Sequence, residues 1–258
     1  MRANHVKRTL AKGGVAIGTM MFEFDSPGIG RIAATAGADF VVFDMEHSGW
    51  SDETVKWLIA STRAADVVPM VRVPSTQYHL LSRPLDIGAM GLMVPMVEDE
   101  AQARVIVQSS KYPPGGVRGA GFSLAHDDFE GGDVGAKMQS ANDEGFLIAQ
   151  IETARGIENV DAIASVEGID CLWIGHFDLT LSLGIPAQFE HPLFLKSVDR
   201  VLEACAKYGK TPAIMGGDVE SSKAWLQRGF RAVAYGGDLW IYQEALRSGI
   251  ESIKAARL

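Results

Sequence analysis

Residues 40–50 read FVVFDMEHSGW. Phe40 to Phe43 form an apolar run with no polar break, and Asp44, Glu46 and His47 follow within the next four positions. An uninterrupted apolar run, rather than an alternating one, is the pattern of a strand buried on both faces of a parallel sheet. Charges gathered at its end mark where such a strand leaves the core. Seven other runs have the same apolar character: GVAIGTM (14–20), VPMVRVP (68–74), GLMVPMV (91–97), LIAQIET (147–153), CLWIGHFD (171–178), TPAIMGG (211–217) and AVAYGGD (232–238). Helical periodicity lies between them at 51–65, 99–110 and 190–207, with start signals in Ser51-Asp52-Glu53 and Asp218. Eight strands alternating with helices predict a (β/α)8 TIM barrel, as a single domain over residues 1–258. A doubly wound sheet would need a glycine-rich phosphate turn after its first strand, and the glycines of GTMMFEFDSPGIG (18–30) come too late and too irregularly for one. The one long connection, 98–146, holds KYPPGGVRGAGFSLAHDDFEGGD (111–133), a length that marks a functional or interface loop.

The chain has 24 Lys and Arg against 32 Asp and Glu, a net charge of −8, and is 47% hydrophobic. Such a balance suits a globular protein and disfavours nucleic-acid and anionic-membrane partners, which call for a basic face. An anionic small molecule remains compatible, because a pocket can be locally positive. Two cysteines, Cys171 and Cys205, lack metal-ligand spacing and are expected to be free thiols of a reducing compartment. No apolar run approaches the roughly 18–20 residues of a membrane span. The basic, then apolar, start MRANHVKRTLAKGGVAIGTMMF lacks a small-x-small cleavage site, and its GGVAIGTM reads as a first strand, so a cytoplasmic location is expected.

In a barrel of this kind, groups at the C-terminal ends of the strands converge on one face, where the chemistry occurs. Here those groups are Asp44, Glu46 and His47 after the second run, Arg72 in the third, Gln150 and Glu152 in the fifth, and His176 and Asp178 in the sixth. Glu152 and Asp178 are expected to end consecutive strands, whose spacing is ~5 Å. Two carboxylates that close repel unless neutralised, and a hard divalent cation neutralises them while leaving room for substrate oxygens. The alternative is that each caps a helix or pairs with an arginine. Arg72, in an apolar strand, either binds one of the carboxylates or presents its fork to a substrate oxyanion. His47 is a candidate general base, with Asp44 orienting its ring, or else a structural histidine. Schiff-base chemistry needs a strand lysine, and none of the eight runs contains one. No G-x-S-x-G elbow occurs, and neither cysteine sits near a partnering histidine.

Taken together, FVVFDMEHSGWS, VPMVRVPS, DIGAMGLMVPMVEDEAQA, KYPPGGVRGAG, AQIETARGIENVDAIASVEGIDCLWIGHFDLTLSLG and HPLF give the chain, over about residues 10–250, a pattern that resembles the HpcH/HpaI family of class II pyruvate aldolases, the 4-hydroxy-2-oxo-heptanedioate aldolase type. The resemblance implies Glu152 and Asp178 as ligands of Mg2+, Mn2+ or Co2+, and Arg72 on the keto or enolate oxygen. It implies His47 with Asp44 in proton transfer, Gln150 beside the metal, and backbone amides around Gly175–Asp178 on the substrate carboxylate. It also implies a homo-oligomer, trimer or hexamer, with the last helix swapped and Asp86 approaching the neighbour's site. Relatives read G-P-x-D-L where this chain reads GHFDL (175–179). On a strand His176 would share a face with Asp178 and could serve as a neighbouring group or third ligand, and Phe177 would narrow the aldehyde pocket. Glu46 shares strand parity with Asp44 and is expected to act through water on the metal.

The function so implied is metal-dependent cleavage or formation of 4-hydroxy-2-oxo acids, with a 2-oxo acid enolate as nucleophile and an aldehyde as acceptor. The alternatives are a related enolate lyase or decarboxylase, including one acting on a CoA thioester, for which no basic track is visible, and a non-enzymatic oxo-acid-binding barrel.

Overall fold

Eight short strands pair in sequence order, all parallel, and β1 closes on β8 to complete a barrel: β1 (Ala16–Met21), β2 (Phe40–Asp44), β3 (Val68–Arg72), β4 (Gly91–Val94), β5 (Phe146–Ile151), β6 (Cys171–Ile174), β7 (Thr211–Gly216) and β8 (Ala232–Gly237). The structure is a computed structural model and describes residues 2–256. The helices before β4 are α1 (His5–Ala11), α2 (Ile29–Thr35), α3 (Asp52–Ser61) and α4 (Tyr78–Asp86). Next come α5 (Glu100–Ser110), α6 (Val134–Glu144), α7 (Ala154–Glu158) and α8 (Val160–Ser165). The last four are α9 (His176–Ser182), α10 (Pro192–Tyr208), α11 (Val219–Arg228) and α12 (Asp238–Ala255). All eight expected strands are present, and the expected caps hold: Ser51 accepts from the Thr54 amide and Asp218 from the Ser221 amide. The basic N-terminal stretch is α1 followed by β1.

Alternate residues of each strand point to opposite faces. Val41, Phe43 and Val71 join the apolar layer beneath the helices, whereas Phe40, Val42, Met70, Ile148 and Trp173 fill the barrel interior. Extending the interior set by two residues places Asp44, Arg72 and Gln150 in one layer at the C-terminal mouth, above that packing. Register completes the arrangement, since Asp44 lies directly beside Arg72 across β2 and β3. Cys171 and Cys205 are free and buried. Among the described residues no helix is long and apolar enough to cross a membrane.

Candidate active site at the barrel mouth

The mouth opens into a pocket of ≈ 170 Å³ whose lining includes His47, Arg72, Gln150, Gly175, His176, Phe177 and Asp178. Arg72 is the organising cation. Its Nε donates to Asp44 Oδ1 at 2.5 Å and its Nη1 lies 3.2 Å from Glu46 Oε2. Of the two expected roles the carboxylate partner is the one seen, and Nη2 has no protein hydrogen-bond partner among the described residues. The Arg72 guanidinium carbon also lies 5.7 Å from the centre of the Phe22 ring.

Two expected relationships are corrected. Asp44 does not hold the His47 ring: its Oδ2 accepts the His47 backbone N–H at 2.9 Å, and its Oδ1 is taken by Arg72. The group beside the ring is Glu46, whose Oε2 lies 3.7 Å from His47 Nε2. The reason is local, because the chain turns immediately after β2 and brings its amides back over the Asp44 carboxylate. The second correction concerns β6, which stops at Ile174. Gly175 then caps α9, with His176, Phe177 and Asp178 in its first helical turn. Asp178 thus sits where a helix favours negative charge, not at a strand end. Residues two apart on a helix point to nearly opposite sides, so His176 does not share Asp178's face. The His176 ring instead packs between Phe177 and Phe189, with centroids 4.8 and 5.3 Å away, and burial pushes its pKa down to about 4.

Glu152 follows β5 and is 1% exposed. Its Oε1 accepts the Met96 backbone N–H at 2.7 Å, and its Oε2 accepts from the Gln150 amide. Burial pushes its pKa up to about 7, the nearby negative charges of Glu46 and Asp178 add to the rise, and the two hydrogen bonds oppose it. Glu46 is also raised, first by burial, against the pull of Arg72 and His47. Glycine is required at 175, since a Cβ there would lie 2.0 Å from Glu152 Oε2 and 2.8 Å from Gln150 Nε2. The donor set fits a hard cation: acidic oxygens crowd a buried mouth, and Gln150 Oε1 is buried without a hydrogen-bond partner. Among the described residues no group of three or more His, Cys, Asp or Glu could hold a metal.

Asp86 ends α4 at the opposite end of its own barrel and pairs with Arg118 at 2.6 Å. It is not brought into the mouth of the same chain. Sequence reasoning missed several contributors. Asp238, buried at the end of the last strand run, accepts the backbone N–H groups of Phe22, Glu23 and Phe24 at 3.0, 3.0 and 2.7 Å, fixing the loop that carries Phe22 to the pocket. An acid closing an apolar run is the same signal that singled out Asp44. Met96, held at φ 55° while its amide serves Glu152, leaves no such signal.

The family model described as HpcH/HpaI aldolase/citrate lyase matches residues 19–245. The hydroxypyruvate/pyruvate aldolase of Deinococcus radiodurans is 35% identical over 252 residues, covering 98% of this chain and 90% of the relative. The 2-keto-3-deoxy-L-rhamnonate aldolase of Salmonella typhimurium is 34% identical over 259 residues, covering 99% and 95%. The crystal structure of an HpcH/HpaI aldolase from Desulfitobacterium hafniense superposes with a TM-score of 0.93 at 33% identity, covering 97% of each chain. The chain belongs to the HpcH/HpaI aldolase/citrate lyase family. It is an enzyme of the aldolase (carbon–carbon lyase) class.

Proposed function

We propose that this barrel is a divalent-metal-dependent aldolase that cleaves 4-hydroxy-2-oxo acids into a pyruvate-type 2-oxo acid and an aldehyde, and runs the same reaction in reverse. The observation that carries the reading is the meeting of Arg72, His47 and Asp178 around one pocket, with Glu152 buried behind the pocket residue Gln150 and close enough to Asp178 to feel its charge. Glu152 and Asp178 would hold the metal, which when bound supplies Lewis-acid polarisation of the 2-oxo group.

The remaining work falls to the chain. Arg72 is locked by Asp44 and Glu46, so its Nη2 is aimed in advance at the oxygen that gains charge as the C3–C4 bond breaks. His47 would take the C4 hydroxyl proton on its imidazole during cleavage and return it in synthesis. Glu46 Oε2, beside His47 Nε2, would offset the charge of the imidazolium and reach the metal through water. Backbone amides opening α9 at Gly175–Asp178 would take the substrate carboxylate, and Gln150 holds Glu152 in place. Neither a Schiff base nor a nucleophilic thiol enters, since Cys171 is buried and burial pushes its thiol well up.

We further read the enzyme as a cytoplasmic homo-oligomer, a trimer or hexamer. Apolar residues along the outer part of α12, Leu246, Ile250 and Ile253, are exposed in the single chain and suit a swapped helix. Asp86 would then reach a neighbour's mouth. The deciding experiment follows exchange of pyruvate C3 protons in D2O with and without Mn2+. Metal-dependent exchange that stops in EDTA is expected, and exchange that persists at full rate in EDTA overturns the reading.

A further inference from the structure

A separate cavity lies at the N-terminal end of the barrel, where α4 runs into β4. Its volume is ≈ 40 Å³, room for about three waters or one small oxyanion. Its walls come from within the one chain, since Ile59, Leu85 and Ala141 line it and are all buried. A neighbouring copy would cover this cavity further but does not form it, and α12 takes no part in its lining.

Four nitrogen-bearing side chains reach the cavity from three separate segments. Arg2 precedes α1, Arg63 follows α3, and Arg118 and His126 belong to the connection between α5 and α6. One acid, Glu144, also lines it, and its carboxylate is already committed to Arg8 and to the Asn4 backbone N–H. The cations crowd one another. Burial, and after it the charge of Arg2, hold the Arg63 guanidinium below its ordinary pKa. Burial, and after it the charge of Arg118, push His126 down in the same way, against the pull of Asp127 and Asp86. Like charges held together in a confined, poorly hydrated space repel, and an anion among them relieves the repulsion.

Their donors are also only partly used. Arg2 donates to the carbonyls of Thr62 and Ala65 at 3.3 and 3.2 Å. Arg63 gives Nη1 to Asp128, while its Nη2 lies over Gly88 in the cavity wall, where a Cβ would come within 3.2 Å of it. Arg118 is 5% exposed and gives Nη2 to Asp86, but its buried Nε has no hydrogen-bond partner among the described residues. His126 is 9% exposed, and neither of its ring nitrogens has such a partner. Buried donors left unpaired are costly, and a ligand that accepts from them removes the cost.

We propose that this cavity is a binding site for a small oxyanion of the sulfate or phosphate type, held between Arg63, Arg118 and His126, with Arg2 adding positive charge. One anion there ties the segment before α1, the turn after α3 and the α5–α6 connection together. The site is remote from the reacting groups and does not depend on the aldolase reading. The test is calorimetric titration of sulfate into the full chain with Mg2+ present, at constant ionic strength. One sulfate per chain is expected to bind with a Kd of about 1 mM or below. Arg63→Gln and His126→Leu are each expected to weaken binding at least about tenfold, because each removes a donor to the anion. Arg72→Ala, at the barrel mouth, is expected to leave it unchanged. Absence of saturable binding in the wild type overturns the site. So does binding that survives at full strength in both cavity variants, or that disappears in Arg72→Ala, since the anion would then sit at the mouth.

Discussion

Two carboxylates of this protein are equally buried and behave in opposite ways. Glu152 at the barrel mouth and Asp127 in the connection between α5 and α6 are each 1% exposed. Burial alone raises both. Asp127, however, has Lys137 Nζ at 2.7 Å and the backbone N–H groups of Ser123 and Leu124 at 2.8 Å each, and its pKa falls below the ordinary value. Glu152 has one backbone N–H and one neutral amide, with Glu46 and Asp178 adding negative charge, and its pKa climbs to about 7. Burial therefore does not distinguish a structural acid from a functional one. On the metal-aldolase reading the partner set does: where the protein supplies the cation the acid is finished, and where it withholds the cation the site is left for a ligand.

The strongest way to break this contrast is to remove the mouth acid. Glu152→Ala should weaken Mn2+ binding by at least about a hundredfold and remove aldol activity with it. Asp127→Asn should leave the Mn2+ titration unchanged, and an equal loss of metal affinity in both would refute the distinction. Next in size, Arg72→Lys should lower kcat by about 100–1000-fold, because an ammonium cannot hold Asp44 and Glu46 and still offer a third donor; near-normal pyruvate C3 exchange in this variant would refute the role of Nη2.

Stability should separate the two acids by sign. Glu152 binds its proton more tightly folded, near pH 7, than unfolded, near its ordinary 4.5. Its contribution is thus present at low pH and lost as pH rises through that window, on the order of 3 kcal/mol for the metal-free protein. Glu152→Gln should raise the Tm of the metal-free protein at pH 8, and Mn2+ should raise the wild-type Tm more at pH 8 than at pH 6. Asp127→Asn should instead lower Tm at pH 8, by roughly 1–3 kcal/mol of stability, since Lys137 loses its partner. The smallest effect is expected from Asp238→Asn. It leaves the donors of Phe22, Glu23 and Phe24 with a poorer acceptor and should raise the KM for the aldehyde a few-fold at nearly unchanged metal affinity; a loss of Mn2+ binding there would show the loop to be part of the metal site.

Much of this was legible in the chain. The eight apolar runs name the eight strands, and the acids and arginine gathered at their C-terminal ends name the functional face, because a two-face-buried strand can tolerate charge only where it emerges. The corrections fall where a pattern of residue types does not report the turn of the backbone. GHFDL continues the apolar run of β6 in composition, yet the chain leaves the sheet at Gly175 and begins α9, which moves Asp178 onto a helix and turns His176 away from it. Asp44 and His47 are close in sequence, but the tight turn offers Asp44 the His47 backbone N–H while Arg72, from the next strand, takes its other oxygen.

The sequence by itself determined the order of the strands, the polarity of the barrel and the residue types available at its mouth. These follow from local periodicity and from the cost of burying charge, which act over a few residues. The tertiary structure alone decided the pairing of Asp44 with Arg72 across β2 and β3, the approach of Gly175 to Glu152, and the shortage of cations around Glu152. Each of those depends on register and barrel closure between segments far apart in the chain, through contacts that periodicity does not encode.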